Sequence, residues 1–201
     1  MIKKDVLIIG AGPAGIFTAL EMLRNGSKKS ILIVEKGQPV EKRRCPKAKT
    51  NQCMNCKPYC HITTGFSGAG AFSDGKLSLS TDVGGDFPNL VGEEEAQALI
   101  HYADSIYLEF GADTKVEGVG NDEEVKQIRK RAIQAGLKLV DCPIRHLGTE
   151  KAQNIYYAIE QYLLQNGVEM LFGCECTNLI LSGSVCSGAY VTNGKENFEI
   201  Q

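Results

Sequence analysis

A short apolar run that breaks into glycines most constrains what this chain can fold into. Residues Val6–Ile9 predict a buried strand, and the six residues after it read Gly-Ala-Gly-Pro-Ala-Gly. A second apolar run, residues 31–34, ends in Glu35, which lies 20 residues beyond Gly15. A G-x-G-x-x-G motif between a strand and a helix, with an acid at this distance, is typical of a βαβ unit that binds a dinucleotide. The alternative is a glycine-rich turn in another kind of α/β domain.

The spacing of the motif has a physical basis at each position. Gly10 permits the tight turn, Gly12 lets the backbone approach a pyrophosphate, and Gly15 lets the helix pack on the sheet. The helix start offers unpaired N–H groups and a partial positive charge, and Pro13 near the first helical position loses nothing by lacking an N–H. We expect the Glu35 carboxylate to accept hydrogen bonds from ribose hydroxyls. It would repel a 2′-phosphate, so NADP is disfavoured at this site.

Composition narrows the class of protein. The 201 residues, 43% of them hydrophobic, are enough for one domain or one and a half. A net charge of −2 gives no global attraction to nucleic acid or an anionic membrane. No apolar run is long enough for a membrane span, and the apolar segment after the first lysines is too short for an export signal. Eight cysteines without an export signal favour a reducing, cytoplasmic location, with some cysteines as ligands or redox groups.

Periodicity and turn residues predict an α/β fold with a parallel sheet, a βαβ start and a β-meander. The expected helices are 13–25, 94–110, 122–135 and one that begins at Thr149, and the expected strands are 6–9, 30–35, 113–119, 137–141, 168–172, 174–181, 185–192 and 196–200. We expect residues 1–82 and 147–201 to form one dinucleotide-binding domain and residues 83–146 to be a small inserted α/β subdomain. Because the chain stops directly after a meander strand, we expect it to be the N-terminal portion of a longer protein.

This combination resembles the two-dinucleotide-binding-domain flavoproteins of the glutathione reductase-like FAD superfamily. The resemblance rests on the glycine motif, the distant Glu35, the strand at 168–172 and the meander after it. It implies that the motif holds the ADP part of FAD and that Cys176 contacts adenine through its backbone. It also implies a second glycine-containing strand, which would lie just beyond Gln201.

A closer resemblance is to a group of bacterial FAD-dependent (NAD/FAD-utilising) dehydrogenases. Two segments carry it: residues 65–77, GFSGAGAFSDGKL, preceded by a cysteine cluster, and residues 145–150, RHLGTE. The resemblance implies an FAD-dependent oxidoreductase, with NAD(P)H as a candidate co-substrate and a small molecule or an electron carrier as its partner. It assigns neither the substrate nor a catalytic acid or base.

The glycine-rich stretch 65–77 is expected to approach a flat or phosphorylated ligand with its backbone. The hydroxyls of Ser67 and Ser73, and backbone N–H groups, could bond the polar edge of a flavin, while Lys76 could offset charge on a reduced flavin. The alternative is a buried structural turn with Lys76 in solvent. The predicted cofactor-binding residues are Gly10, Gly12, Pro13, Ala14, Gly15, Glu35, Lys36, Gly68, Gly70, Ser73, Lys76 and Cys176.

Four cysteines form a cluster with the spacing C-x7-C-x2-C-x3-C. They are Cys45, Cys53, Cys56 and Cys60. Four thiolates this close in sequence suit a zinc ion or a [4Fe–4S] cluster, and His61 could replace one of them. A redox-active dithiol at Cys53 and Cys56 and a set of free thiols on a basic loop are the alternatives. The nearby cations would offset the charge of a tetrathiolate site, meet an anionic substrate or an acidic partner, or lie in solvent.

Three candidate functions follow. The first is an FAD-dependent oxidoreductase, which the glycine motif, the meander and the glycine-rich stretch together favour. The second is a non-catalytic nucleotide-binding module stapled by zinc, and the third is an NAD-dependent dehydrogenase. Flavin content, metal content and the choice between FAD and NAD distinguish them.

Overall fold

The computed structural model describes residues 2–72 and 75–201, with the side chains of residues 149 and 150 left out. Within these residues the strands are β1 Val6–Ile9, β2 Ile31–Glu35, β3 Lys76–Ser78, β4 Ile144–His146, β5 Glu169–Phe172, β6 Glu175–Ser182, β7 Val185–Thr192 and β8 Asn197–Ile200. The helices are α1 Pro13–Arg24, α2 Lys47–Thr50, α3 Phe87–Val91, α4 Glu93–Glu109, α5 Asp122–Gln134 and α6 Thr149–Gln165. The chain divides into two units, Met1–Phe72 with Tyr156–Gln201, and Ser73–Ile155.

A three-stranded parallel sheet forms the centre of the first unit, in the order β1-β2-β5. The register pairs Val6 with Ile31 and Leu32 with Glu169. All five residues of β2 are buried, as expected for a parallel strand covered on both faces. The predicted βαβ start and the returning parallel strand are therefore confirmed.

Two helices supply apolar side chains to the core of the first unit. On α1 the buried residues are Ile16, Ala19 and Leu20, and Gly26 stops the helix with a φ of 71°. On the part of α6 that belongs to this unit, Ile159 and Leu163 are fully buried. Both helices follow the predicted stripe of apolar residues at i, i+3 and i+4.

The strands β6, β7 and β8 form the predicted antiparallel meander. Ala189, Val191 and Ile200 belong to one buried cluster with Leu32 and Val34 of the parallel sheet, so the meander packs on that sheet. The end of β8 also meets the start of the chain, where the Gln201 N–H donates to the Ile2 carbonyl at 2.9 Å.

The second unit contains α3, α4, α5 and a short antiparallel ladder of β3 and β4. Arg145 on β4 and Asp104 on α4 form a buried ion pair, with the Arg145 Nη2 atom 2.7 Å from the Asp104 Oδ2 atom. The hydrogen bonds that the Arg145 guanidinium donates to the Asp104 carboxylate raise the pKa of Arg145. The helix was predicted from an apolar periodicity that includes Leu99 and not Asp104, yet Asp104 is buried and Leu99 is 40% exposed.

Two strands predicted in this unit are wrong. Residues 113–119 contribute a single bridge, from Glu117 to Ile144, and residues 137–141 form no strand. The apolar run that predicted the second of these strands has no neighbouring strand to pair with in the described part of the chain. Its first residue, Leu137, is accordingly 66% exposed. The strand that does form, β4, contains an arginine and a histidine, and the three residues of β3 are too few to produce a recognisable alternation.

Among the described helices, none is long and apolar enough to cross a membrane.

Candidate functional site

A cleft of about 390 Å³ lies at the carboxyl ends of β1 and β2, where parallel α/β sheets bind ligands. The end of β1, the end of β2, the segment 63–68 and the start of β6 all contribute to its wall. The lining residues are Ile9, Gly10, Gly12, Val34, Glu35, Lys36, Thr63, Thr64, Gly65, Gly68, Cys174, Glu175 and Cys176.

The glycine turn leaves open space beside the start of α1. Gly10 has a φ of 96°, which a side chain would strain, and a Cβ at Gly15 would lie 2.1 Å from the Gly10 carbonyl oxygen. A Cβ at Gly12, in contrast, would meet nothing within 4 Å. Gly12 is also the N-cap of α1, and no side chain caps the helix there. A pyrophosphate requires first-turn N–H groups that face empty space. The glycine turn Gly10–Gly15 at the start of α1, which we call the cradle, therefore fits the ADP part of FAD.

Glu35 closes the cradle from the tip of β2. It is 7% exposed, and its Oε2 atom accepts the Ala11 N–H at 2.8 Å while its Oε1 atom accepts the Gly37 N–H at 2.7 Å. Each carboxylate oxygen has about two lone-pair sites, so each keeps one for a ribose hydroxyl. The two backbone donors therefore hold the carboxylate at the cleft wall, and each of its oxygens can still accept one more hydrogen bond.

The segment that begins the glycine-rich stretch is bonded directly to the cradle. The Ser67 N–H donates to the Ala11 carbonyl at 2.8 Å, and Ser67 adopts a φ of 73°, unusual for a residue with a side chain. The Ser67 hydroxyl accepts the Ala71 N–H at 3.1 Å, and the residue is 1% exposed. Ser67 thus holds the turn and its hydroxyl faces the protein interior, whereas the sequence had suggested a contact with flavin.

Arg43 anchors the same segment from the other side. Its guanidinium donates to three backbone carbonyls, those of His61 at 3.0 Å, Phe66 at 2.6 Å and Ile62. It also lies over the Phe72 ring, 4.4 Å from the centroid. Burial lowers the pKa of Arg43 to about 10, which still leaves it charged at neutral pH. Arg43 is one of the cations beside the cysteine cluster, for which the sequence left a metal site, an anionic ligand or partner, and solvent open, but it is 4% exposed.

The structure brings together about half of the predicted cofactor-binding residues. Gly10, Gly12, Glu35, Lys36, Gly68 and Cys176 line the cleft. Pro13, Ala14 and Gly15 form the first turn of α1 beside it. Gly70 packs elsewhere in the first unit, since a Cβ there would lie 2.8 Å from the Tyr156 hydroxyl. Lys76 is exposed on β3 of the second unit, and Ser73 lies outside the described residues.

The cysteine cluster is not assembled into a metal site. Within residues 2–72 and 75–201, no group of three His, Cys, Asp or Glu side chains is placed to hold a metal ion. Of the predicted ligands, Cys53 and Cys60 are exposed and Cys45 and Cys56 are half-buried. The peptide N–H groups of Ile62 and Thr63 lower the pKa of the exposed Cys60 thiol by hydrogen bonding. Burial raises the pKa of Cys174.

Other histidines and cysteines have roles that the sequence left open. His146 pairs with Glu117, with its Nε2 atom 3.3 Å from the Glu117 Oε2 atom. His101 is exposed on α4, where its Nε2 atom lies 3.0 Å from the Gln97 side-chain nitrogen. Four further cysteines lie in or next to strands that the sequence predicted, which makes core packing their expected role: Cys142, Cys174, Cys176 and Cys186. This expectation holds for the buried Cys174 but is wrong for Cys186, which is exposed.

Sequence reasoning missed several residues of the cleft wall. Thr63 and Thr64 stand just before the glycine-rich stretch, and only their position next to Gly65 could have indicated them. Glu175 faces the cleft on β6, where its side chain lies 3.9 Å from the Lys36 ammonium.

Comparisons with known proteins agree with this geometry. Residues 5–43 match the family described as the FAD binding domain. A stretch of 77 residues is 40% identical to an uncharacterized protein of Clostridium beijerinckii, and it covers 38% of this chain and 14% of that protein.

Two solved structures share the fold over the full chain. The first is 3-ketosteroid-Δ4-(5α)-dehydrogenase from Rhodococcus jostii RHA1, with a TM-score of 0.58, 13% identity and coverage of 100% of this chain and 44% of that enzyme. The second is L-amino acid deaminase from Proteus myxofaciens, with a TM-score of 0.50, 16% identity and the same two coverages of 100% and 44%. The chain thus spans less than half the length of these enzymes. The predicted Rossmann-like α/β fold is confirmed, and the match to the FAD binding domain covers the βαβ unit that contains the glycine motif.

Proposed function

We propose that this chain is the FAD-binding portion of an FAD-dependent oxidoreductase whose partner is a small molecule or an electron carrier. One observation carries the proposal. The start of α1 has no capping side chain and faces open space at Gly12, and the fixed carboxylate of Glu35 stands in the wall of the same cleft. This arrangement suits a nucleotide whose pyrophosphate lies at the helix start and whose ribose reaches the acid.

The residues of the first unit would hold the adenosine end of FAD. Gly12, Ala14 and Gly15 would present N–H groups to the pyrophosphate, and Glu35 would accept the ribose hydroxyls. Cys176, at the start of the meander, would contact the adenine through its backbone. When bound, FAD supplies hydride and single-electron transfer.

Other chain residues would shape the site without contacting the cofactor. Arg43 and Ser67 hold the segment 63–68 against the cradle, so that the Gly68 backbone stays at the cleft wall.

Gly70, Ser73 and Lys76 remain predicted contacts toward the flavin end. We further propose that residues 1–82 and 147–201 form the FAD-binding domain and that 83–146 is an insertion in it.

The visible spectrum of the whole protein, purified without added cofactor, tests the proposal. We expect flavin absorption and, after acid precipitation, a released flavin that chromatography identifies as FAD. A colourless protein that FAD does not stabilise against thermal unfolding contradicts the proposal. Stabilisation by NAD and not by FAD would instead indicate an NAD-dependent dehydrogenase, and NAD(P)H reduction of the bound flavin would identify the co-substrate.

Metal analysis of the same preparation tests the cysteine ligand set. Iron with acid-labile sulfide would establish a cluster at Cys45, Cys53, Cys56 and Cys60, and zinc without flavin would favour the nucleotide-binding module. We expect flavin without stoichiometric metal, because the four thiols are not gathered in the structure.

A further inference from the structure

The segment 42–72 has an unusual balance of charge. It contains six lysines and arginines and no aspartate or glutamate, in a chain with 22 basic and 24 acidic residues overall. One of the six, Arg43, is buried, and the other five are exposed. The five are Lys42, Arg44, Lys47, Lys49 and Lys57, which we call the basic set.

The fold gathers four members of the basic set on one closed loop, and the fifth, Lys42, lies just before it. The Arg43 side chain donates to the carbonyl of His61, and the His61 Nδ1 atom lies 3.1 Å from the Arg44 carbonyl oxygen. These contacts close residues 44–60 at their base. The short helix α2 lies within this loop and carries two of its cations, Lys47 and Lys49.

Within the part of the chain that the structure describes, the basic set forms no ion pair, although Lys42 is near enough to Glu160 to lower the pKa of that carboxyl. None of the ion pairs there involves any of the five side chains. They also stay outside the wall of the nucleotide cleft, whose one lysine is Lys36. A small anion is held by groups that converge in a pocket, whereas five exposed cations spread along a loop suit an extended acidic surface.

The loop leads directly to the cleft. The Thr64 N–H donates to the carbonyl of Cys60, the last loop residue, at 3.0 Å, and Thr63 and Thr64 are part of the cleft wall. A protein bound on the basic set would therefore lie beside the residues that line the cleft.

We propose that the basic set is the docking surface for an acidic one-electron carrier protein. This inference rests on the proposed FAD-dependent function. On return to FAD, the anionic reduced flavin, FADH⁻, gives up two electrons and releases one proton to water, and each carrier molecule accepts one electron. Two carrier molecules would therefore dock in turn for each oxidation. Charge complementarity of this kind mainly speeds encounter and gives binding that weakens as salt is added.

Binding is tested with the whole FAD-loaded protein and two purified probes, an acidic [2Fe–2S] ferredoxin and an acidic flavodoxin. The test variant combines Lys47→Glu, Lys49→Glu and Lys57→Glu. The control combines Lys28→Glu, Lys138→Glu and Lys195→Glu, which changes the net charge equally at three exposed positions elsewhere. We expect calorimetric titration at low ionic strength to show binding that the test variant weakens about tenfold or more and the control leaves nearly unchanged.

Three results would overturn the proposal: no binding of either probe, binding that salt does not weaken, or equal losses in the two triple variants. Preferential binding of nucleic acid or anionic vesicles, abolished by the same three substitutions, would also overturn it by identifying another kind of partner. Flavin content is read separately from the spectrum. A flavin-free protein therefore contradicts the proposed function, whereas an FAD-loaded protein that ignores both carriers contradicts the docking surface alone.

Discussion

The backbone N–H of Ser67 donates to the carbonyl of Ala11 at 2.8 Å, and this bond joins two stretches of sequence that each looked like a binding site. Ala11 also donates its own N–H to Glu35, so one fully buried residue connects the acid, the glycine turn and the glycine-rich segment. The nucleotide cradle and the segment 63–68 are therefore parts of one hydrogen-bonded wall.

An added methyl group should mainly reduce FAD binding at Gly12 and mainly reduce stability at Gly15. Gly12→Ala places its Cβ in open space, so we expect a loss of stability within about 1 kcal/mol, from the poorer N-cap, together with a large loss of bound FAD. Gly15→Ala forces a Cβ to within 2.1 Å of the Gly10 carbonyl oxygen and should destabilise the fold itself. Flavin content and chemical denaturation of both variants measure the contrast. Full flavin occupancy in Gly12→Ala would show that the pyrophosphate does not lie there.

Arg43 should be more important for stability than any of the cations around it. Replacement by methionine leaves three backbone carbonyls without their donor, and we expect a loss of about 2–4 kcal/mol. Lysine restores the charge but cannot reach three acceptors from one planar group, so Arg43→Lys should recover only part of the loss. The exposed neighbour gives the control, since Arg44→Met should change stability by no more than about 0.5 kcal/mol. Urea denaturation compares the three variants, and equal losses at positions 43 and 44 would contradict the anchoring role.

The sequence predicted those parts of the fold that depend on local pattern. The strands β1 and β2, the helix α1 and the meander each have a period or a turn signal of their own, and all four are present. The cradle was predictable for the same reason. Arg43 was not, because a buried arginine and a solvated one look alike in a run of cations, and its acceptors are backbone carbonyls that have no sequence signature.

The ion pair and the strands of the second unit were also not predictable from local sequence pattern. Asp104 and Arg145 are 41 residues apart, and nothing local marks either one as buried. Residues 137–141 had a strand-like apolar pattern but no partner strand, and a strand without a sheet is not stable. What the sequence could not supply in these places was the identity of the tertiary neighbour.

Cys60 should be the most readily alkylated of the exposed cysteines at neutral pH. The N–H groups of Ile62 and Thr63 lower the pKa of its thiol, so more of it is thiolate, the form that reacts with iodoacetamide. Cys53 is also exposed and is the control, while Cys174, buried and with a raised pKa, should react last. Peptide mass spectrometry after short labelling times gives the order. If Cys53 reacts as fast as Cys60 at neutral pH, the hydrogen bonds do not stabilise the thiolate.

Glu160 should make the stability of the first unit depend on pH. Its side chain is 2% exposed on α6, and its Oε2 atom accepts the Val40 N–H at 3.1 Å. Burial raises the pKa of this carboxyl from 4.5 to about 7, with a further rise from Glu41 and an opposing effect of Lys42. Between these two pH values the folded protein holds a proton that the unfolded chain has released. The free energy of unfolding should therefore fall as the pH rises through this window, by about 1–3 kcal/mol, and level off above it.

The variant Glu160→Gln isolates this contribution. Glutamine keeps an acceptor for the Val40 N–H but carries no charge at any pH, so its free energy of unfolding should not fall across the window from pH 4.5 to about 7. Above that window Glu160→Gln should be at least as stable as the original protein, since the original must then either bury a carboxylate or release it to water. Urea denaturation of both proteins at several pH values measures the two slopes. Parallel slopes would mean that Glu160 is already ionised in the folded state at the lower end of the window and that its burial does not control the proton.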